Sequence, residues 1–404
     1  MPSNRTKTAD SMRQRFDVII IGAGIAGCAT ALALRQQLPH LSVLLLERRT
    51  NTPQSFRIGE TLPPQAMALL QQLGLLTQFR LRDDVVSLGN HSAWGSPQLS
   101  ENLFLYSCYG HGWHIDRASF DSWMAQQAER AGATILHDAT VTGAPAYDRQ
   151  RWHLSIKQND HAARGVETPV IVDASGMGAF FSRNRNINMV SHDKLIGIFR
   201  YYQTSDTSIG DKSHDSYTLV ESCPYGWWYS AGLPHGRRVI ALMTDSDLSR
   251  TENLLHETAW REALLSTHHT CRRFIHAEPL TSLQIKPAHS QKLERFCGQG
   301  WYAVGDAAST FDPLSSLGMY KALRHGLLAS YAIRDDLLKK TGAREKYQHI
   351  LNEEFRHYLY MHQQYYRIEQ RFANAPFWQR RQHTAISSYP SRNDCDAVMD
   401  NGFP

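Results

Sequence analysis

Long apolar segments and paired cysteines are missing from this chain of 404 residues. No stretch approaches the roughly 18 consecutive apolar residues of a membrane-spanning helix, and the polar N-terminal tail, residues 1–15, has no apolar h-region. The six cysteines include no C-x-x-C pair, as is usual for reduced cytosolic thiols. We therefore expect a soluble, cytoplasmic protein that does not depend on disulfides.

Blocks of charge and recognised metal-ligand spacings are also scarce. The net charge is +5, and lysine and arginine are scattered along the chain, which argues against a nucleic-acid surface and weakly favours an anionic ligand or partner. The 20 histidines have no cysteine or acidic companions at the spacing of a metal site. We expect no metal, no nucleic-acid partner and no membrane partner.

A glycine-rich turn near the N-terminus has the setting of a dinucleotide-binding site. The β-branched run of residues 16–21 is typical of a buried parallel strand, and residues 29–34 have helical composition. Between them Gly22 permits a tight turn, Gly24 lets the backbone approach a phosphate, and Gly27 lets helix and strand pack closely. We expect this turn, with Ala26 inside it, to bind a pyrophosphate at the helix N-terminus.

An acidic residue follows the turn at the distance that ribose binding requires. Glu47 ends a second apolar run and stands about 20 residues after the last glycine. We expect its carboxylate to bind the ribose hydroxyls of an adenosine. Arg48 either lies beside the adenine or is a solvated surface arginine.

A second motif distinguishes FAD from nicotinamide cofactors. Asp306 follows the strand-like residues 301–304 and Gly305, and its carboxylate can accept a hydrogen bond from a ribityl hydroxyl, which nicotinamide cofactors lack. Residues 312–320 form a Pro- and Gly-containing loop that leads into a helical run. The N-terminus of that helix would favour the negative charge of a reduced flavin.

Together these motifs make the chain resemble the para-hydroxybenzoate-hydroxylase-like flavoprotein superfamily, including its flavin-dependent halogenase branch. Further motifs in the family's order are residues 57–64, 116–121, 172–176 and 313–318. The resemblance implies that Arg117 lies near the FAD pyrophosphate, that Val141 meets the adenine, and that Gly318 and Met319 lie beneath the flavin ring. Asp173 follows the halogenase-type Asp-Ala-Ser-Gly form, so its role is open.

The expected fold is α/β, with a Rossmann-like FAD-binding domain interleaved with a β-sheet substrate domain. Segments 16–80, 116–190 and 285–335 carry the cofactor motifs, and segments 81–115 and 191–284 contain aromatic and strand-like runs that would form the substrate domain over the flavin. Residues 336–404 form a C-terminal helical segment whose aromatic side chains either cap the domain or offer a binding face.

The resemblance implies that the flavin, reduced by NAD(P)H or another donor, reacts with O2 to give a C4a-hydroperoxide. Halogenases relay the oxidant through a lysine some tens of residues after the glycine turn, but this chain has no lysine between Lys7 and Lys157. The halogenases' Trp-x-Trp-x-Ile-Pro signature is broken as well, since Tyr229 replaces its second tryptophan. Hydroxylation is therefore favoured over halogenation.

Several aromatic stretches are similar to flavoproteins that hydroxylate a tryptophan of a partner polypeptide during tryptophylquinone biogenesis. They place Trp94, Trp227 and Trp228 as candidate substrate-site residues, although core packing explains each equally well. The substrate implied is an electron-rich aromatic ring, most simply that tryptophan. A small aromatic substrate, a halogenase and a non-catalytic, flavin-bearing assembly factor are the alternatives.

Aromatic hydroxylation needs a base for the substrate proton. Glu60, in a loop that the resemblance places near the flavin, is the first candidate, and His114 is the second. Each has a structural alternative, since Glu60 can cap a turn and His114 can position the Arg117 region. Asp312 and Ser316 either orient the flavin or belong to an ordinary Asp-Pro turn.

Overall fold

The computed structural model describes residues 14–50, 58–204, 216–274 and 277–382. Arg57, which begins one of the family motifs, Cys395 and nearly all of the N-terminal tail lie outside these ranges. The described residues form a mixed α/β fold, as the sequence predicts. None of their helices is both long and apolar enough to cross a bilayer.

A six-stranded sheet, here called the parallel sheet, carries the glycine turn. All neighbouring strands run parallel except the pair at one edge, and the order across the sheet is Cys297–Gly298, Trp301–Ala303, Val170–Asp173, Val18–Ile21, Val43–Leu46 and Thr134–Leu136. Every residue in the three central strands of the sheet is buried. Such continuous burial explains their unbroken apolar sequences.

An eight-stranded sheet, here called the large sheet, faces the first. Its order is Ala277–Pro279, Leu195–Thr204, Arg237–Asp245, Gly226–Leu233, Tyr217–Cys223, Gly89–Ala93 and Ser100–Leu103, and Gln284–Pro287 pairs with Leu195–Thr204 as well. The hairpin expected around the two adjacent tryptophans is its centre.

Alternation along the large sheet sends neighbouring side chains to opposite faces. Tyr201, Trp227 and Tyr229 belong to the main core that the two sheets share. Tyr202 and Trp228, the next residues along their strands, pack in a second apolar cluster on the far face. The strand register therefore decides which aromatic residues can approach a site between the sheets.

Three smaller sheets and the helices complete the fold. The sheets contain Gln14–Arg15, Arg164–Thr168, Arg151–Gln158 and Ala139–Asp148; Met189–Ser191, Gln291–Leu293 and Ser309–Thr310; and Thr61–Leu62, Gly112–His114 and Val85–Ser87. The α-helices are Ile25–Gln37, Ala66–Gln72, Leu76–Phe79, Arg117–Arg130, Phe180–Asn184, Leu248–Thr251, Glu257–Leu265, Gly318–Leu337, Ala343–Ile368 and Pro376–Gln382. Short 3-10 helices are Phe104–Tyr106, Gly176–Gly178, Pro234–Gly236, Thr270–Phe274, Gly305–Ala307 and Pro313–Ser315.

The distribution of strands supports the proposed division of the chain. The parallel sheet takes strands from segments 16–80, 116–190 and 285–335, whereas most of the large sheet comes from segments 81–115 and 191–284. Strand Gly112–His114 pairs with both Thr61–Leu62 and Val85–Ser87, so segment 81–115 contributes to the junction between the two parts. We retain the division as a proposal.

Close packing of helices Ile25–Gln37 and Gly318–Leu337 fixes the two cofactor motifs relative to each other. A Cβ at Gly326 would lie 2.7 Å from the Cβ of Ala29 and 2.8 Å from the backbone nitrogen of Thr30. We expect Gly326→Val to destabilise the protein by about 1–3 kcal/mol through overpacking, measured by urea unfolding. Tyr331→Val, at an exposed position of the same helix, is the control; equal stability of the two variants would contradict this packing.

Candidate functional site

A cavity of about 910 Å³ lies between the parallel sheet and the large sheet. The carboxyl ends of the parallel strands contribute Ile21, Leu46 and Val304, and the large sheet contributes Tyr229 and Met243. Ligands of open α/β sheets bind at the carboxyl ends of the strands. The cavity is therefore in the position that the fold reserves for a ligand.

The glycine turn forms one end of the cavity. Gly22 has a φ of +111°, and a Cβ there would lie 2.3 Å from the carbonyl oxygen of Ala174. Gly24 and Ala26 line the cavity, and a Cβ on Gly24 would meet no protein atom within 4 Å. Gly27 lies behind the turn, where a Cβ would come within 2.1 Å of the carbonyl oxygen of Gly22, so its role is packing.

The acidic residue expected to bind ribose is fixed at the same end. Glu47 lines the cavity, and its Oε2 and Oε1 accept hydrogen bonds from the backbone N–H groups of Ala23 (3.0 Å) and Arg49 (2.9 Å). Arg48 is exposed and lines the cavity, and Val141 lines it too. These contacts orient the carboxylate and leave lone pairs for a hydroxyl donor.

The second motif forms another wall. Asp306, Gly318 and Met319 line the cavity, and a Cβ on Gly318 would meet no protein atom within 4 Å. The buried ammonium of Lys321 donates to Asp306 Oδ1 at 3.0 Å and to the carbonyl oxygen of Ser309. Lys321 therefore restrains the carboxylate that the sequence assigns to the ribityl chain.

Glu60 is a buried carboxyl group in the cavity wall. Its Oε1 accepts a hydrogen bond of 2.6 Å from the Tyr201 hydroxyl, and the next residue, Thr61, is hydrogen-bonded to the Tyr229 hydroxyl at 3.0 Å. Burial raises the pKa of Glu60 to about 7, although the bond from Tyr201 and the charge of Arg117 oppose that shift. A carboxyl with this pKa can take up and release a proton near neutral pH.

The cavity fits an extended, negatively charged dinucleotide. Helices Ile25–Gln37 and Gly318–Leu337 both begin at its wall without a side-chain cap, so their N–H groups and positive dipole ends are available to a ligand. Open space in front of Gly24 and Gly318 leaves room for the dinucleotide to approach the protein backbone there. No group of three His, Cys, Asp or Glu side chains in the described segments is arranged to hold a metal ion.

Comparison with known proteins identifies the ligand. The FAD binding domain family matches residues 15–333. The chain belongs to this family. The match supports FAD as the cofactor, as the sequence motifs predict.

Three relatives within the same superfamily are an oxidoreductase, a halogenase and a dihydroxylase. The FAD-dependent oxidoreductase LodB of Marinomonas mediterranea is 30% identical over 91% of this chain and 97% of its own length. The myxobacterial chondrochloren halogenase CndH shares the fold with a TM-score of 0.80 and 22% identity, covering 92% of this chain and 86% of its own. The peptidyl tryptophan dihydroxylase QhpG shares it with a TM-score of 0.68 and 21% identity, covering 93% and 81%. The protein is thus a flavin-dependent oxidoreductase.

Asp173, whose role the sequence leaves open, supports the FAD cavity from behind. The residue is fully buried, and its two oxygens accept hydrogen bonds from the hydroxyl and backbone N–H groups of Ser175 and Ser182, at 2.6–3.3 Å. Burial raises its pKa. Asp173 thereby holds the loop of residues 174–178, which lines the cavity.

His114 lies behind the cavity wall. Its Nε2 is 3.1 Å from the Thr218 hydroxyl, which is 3.5 Å from the hydroxyl of Thr61. The histidine is fully buried and is not among the cavity-lining residues. Its absence from the cavity lining favours a positioning role over direct proton transfer.

The three candidate tryptophans are not brought together at the FAD cavity. Trp228 packs edge-on against Trp260 on the far face of the large sheet. Trp227 donates its indole N–H to the Tyr366 hydroxyl at 2.9 Å, and Trp94 donates to the carbonyl oxygen of Tyr365 at 2.8 Å. All three participate in packing, and their assignment to the substrate site has no support from this geometry.

Asp312 ties the loop before helix Gly318–Leu337 to the C-terminal helices. Its Oδ1 accepts from the backbone of Leu314 at 2.9 Å, and its Oδ2 accepts from the Tyr366 hydroxyl at 2.8 Å and lies 3.1 Å from Nε2 of His362. Both Asp312 and Ser316 line the cavity. The aromatic C-terminal segment therefore braces the FAD site as well as capping the domain.

Sequence reasoning missed Tyr201 and Lys321. Tyr201 was visible only as one of several aromatic residues in a strand-like run, and nothing local signals that it faces a glutamate 141 positions away. For Lys321 the available signal was a lysine at the start of the helical run that follows the Pro- and Gly-containing loop.

A side chain at Gly24 should block the cofactor without harming the fold. We expect Gly24→Val to weaken FAD binding at least about 100-fold, because the added atoms occupy the space through which the backbone approaches the pyrophosphate. Flavin fluorescence titration measures the dissociation constant, and urea unfolding of the apoprotein provides the control. Unchanged FAD affinity in a folded variant would contradict the placement.

Removing the Tyr201 hydroxyl should raise the pKa of Glu60 further above 7. The hydrogen bond stabilises the ionised carboxylate, so Tyr201→Phe shifts ionisation to higher pH. Infrared titration of the protonated carboxyl band, assigned with Glu60→Gln, measures the change. Tyr202→Phe is the matched control on the opposite face of the sheet, and equal titrations in both variants would overturn the assignment.

Proposed function

We propose that the protein is an FAD-dependent monooxygenase that hydroxylates an electron-rich aromatic ring, and that this ring is a tryptophan side chain of a partner polypeptide during tryptophylquinone maturation. The observation that carries the proposal is a buried carboxyl, Glu60, with a pKa of about 7 in the wall of the FAD cavity. Such a group suits a base that accepts the indole N–H or ring proton at neutral pH.

FAD, when bound and reduced by NAD(P)H or another donor, would supply the activation of O2. The helix N-termini, Glu47 and Asp306 would hold the cofactor, with Arg117 at the cavity wall. Arg117 also pairs with Asp121 at 2.9 Å. Its Nη1 would be 2.8 Å from a Cβ on Gly59, so its charge lies beside the residue that precedes Glu60.

An apolar surface next to Glu60 can receive an indole ring. Gly197, Tyr229 and Met243 of the large sheet and Phe311 of the opposite wall line this part of the cavity. Aromatic substrates are commonly held by such surfaces with a few polar groups that fix orientation. Glu60, which Tyr201 orients, provides such a polar group here.

The pattern of lysines weighs against the halogenase alternative. The segment that carries the relay lysine in halogenases has none in this chain. Lys286 lines the cavity, but it is exposed at the mouth, where an oxidised relay group would be open to water. The fold shared with CndH favours halogenation as the second candidate, and a small aromatic substrate is compatible with the same cavity.

Similarity to the relatives supports the polypeptide substrate. LodB aligns with nearly the whole chain, and QhpG, named a peptidyl tryptophan dihydroxylase, shares the fold. An assembly factor that binds FAD without turnover would not require a carboxyl tuned to neutral pH beside the flavin. These points together favour hydroxylation of a protein-bound tryptophan.

Mass spectrometry of the candidate substrate tests the function. We expect reduced enzyme and O2 to add about 16 or 32 mass units to a tryptophan of a partner quinone-enzyme precursor, for one or two inserted oxygens. Free indole, a free phenol and bromide should give no comparable product. Unchanged precursor mass under verified flavin turnover would reject the proposal, and brominated product would establish the halogenase alternative.

The base is tested by substitution. We expect Glu60→Gln to lower hydroxylation by about 10²–10⁴-fold while FAD affinity stays within a factor of two to three. In the parent enzyme the rate should rise with pH through about 7, since ionised Glu60 is the active form. Glu129→Gln, at an exposed site, is the matched control. A Glu60→Gln variant with full activity would exclude this role.

A further inference from the structure

We propose that the mouth of the FAD cavity binds acidic residues flanking the target tryptophan, so that the substrate class is an acid-flanked tryptophan segment. The inference rests on the proposed function and narrows its substrate. It follows from the charges that the protein places around the opening.

Residues that line the cavity and are also exposed define its mouth. Four of them are cations, Arg48, Arg49, Arg183 and Lys286, and the exposed anion, Asp306, is paired with Lys321. No ion pair joins any of the four cations to another residue within the described ranges. The mouth therefore presents unpaired positive charge to an incoming ligand.

Two of these cations are separate from the dinucleotide motifs. Arg48 and Arg49 follow Glu47 at the ribose end, so the cofactor itself accounts for them. Arg183 lies in helix Phe180–Asn184, after the loop that Asp173 supports. Lys286 lies in strand Gln284–Pro287, directly opposite Gly197, and Gly197 lines the apolar part of the cavity.

The position of Lys286 links the charge to the substrate. Because Gly197 has no side chain, its pairing with Lys286 places the first atoms of the lysine side chain next to the surface assigned to the indole. We expect a peptide whose tryptophan enters there to place its flanking residues near Lys286 and Arg183, which line the same cavity and are exposed. Carboxylates on those residues would find exposed cations without competing partners.

The expected preference is modest and depends on salt. Exposed ion pairs are individually weak, so two of them should favour an acidic peptide by about 3- to 30-fold at low ionic strength. Raising the salt shortens the Debye length to a few ångströms at about 1 M and should remove most of the preference.

Binding of two synthetic peptides to the FAD-loaded enzyme tests the inference. The probes are acetyl-EDWDE-amide and acetyl-SNWNS-amide, each with a fluorescent label, followed by anisotropy at low and high salt. We expect the acidic peptide to bind more tightly only at low salt. The double variant Arg183→Glu with Lys286→Glu should abolish the preference and leave FAD affinity unchanged, and Lys157→Glu, outside the cavity lining, should retain it.

Three outcomes overturn the inference: equal binding of both peptides at low salt, an undiminished preference in the double variant, or a large loss of FAD affinity in that variant, which would assign the cations to the cofactor. Mass spectrometry of the products distinguishes failure of this inference from failure of the proposed function. Hydroxylation of both peptides at equal rates rejects the acidic preference alone. Selective binding of the acidic peptide, with no oxygen insertion into the precursor under flavin turnover, supports the preference and rejects the function.

Discussion

Two phenol hydroxyls hold residues 60 and 61 against the large sheet. Tyr201 and Tyr229, from strands of the large sheet, bond to the consecutive residues Glu60 and Thr61. A buried hydrogen bond to a charged group contributes about 1.5–3 kcal/mol, so this contact stabilises the ionised carboxylate that burial opposes. The contact between the large sheet and residues 60–61 and the tuning of Glu60 are consequently the same interaction. A change in how the sheets pack would alter the pKa of that carboxyl.

The alternation of the large sheet explains why a tyrosine, and not the adjacent tryptophan, faces the cavity. Tyr229 lines the cavity, whereas Trp228, the adjacent residue, is committed to the opposite cluster. Trp227 shares the inner face but is hydrogen-bonded to Tyr366 of a C-terminal helix. Tyr366 in turn bonds to Asp312 in the loop of the second FAD motif. The tryptophans thus brace the site at a distance from it.

Local patterns predicted the cofactor end of the site and long-range contacts determined the rest. Gly22, Gly24 and Glu47 lie within one βαβ unit, where spacing along the chain fixes spacing in the fold. The α/β class followed from the same strand and helix patterns. Tyr201 reaches Glu60 across 141 positions, and its orientation depends on strand register, which composition does not encode. The tryptophans illustrate the same limit, because two adjacent indoles in a strand must face opposite ways.

Under the proposed function, Glu60 would allow a hydroxylase to use this fold without the lysine of the halogenases. A halogenase must carry its oxidant to the substrate, which requires a nucleophilic side chain between flavin and ring. Direct oxygen transfer needs only that the substrate lie against the flavin and lose a proton, and a carboxyl with a pKa of about 7 can accept that proton. Burial between the sheets gives Glu60 its proton affinity, while Tyr201 and Arg117 keep the ionised form accessible. The same fold can therefore serve hydroxylation or halogenation, depending on which side chain the strands direct into the cavity.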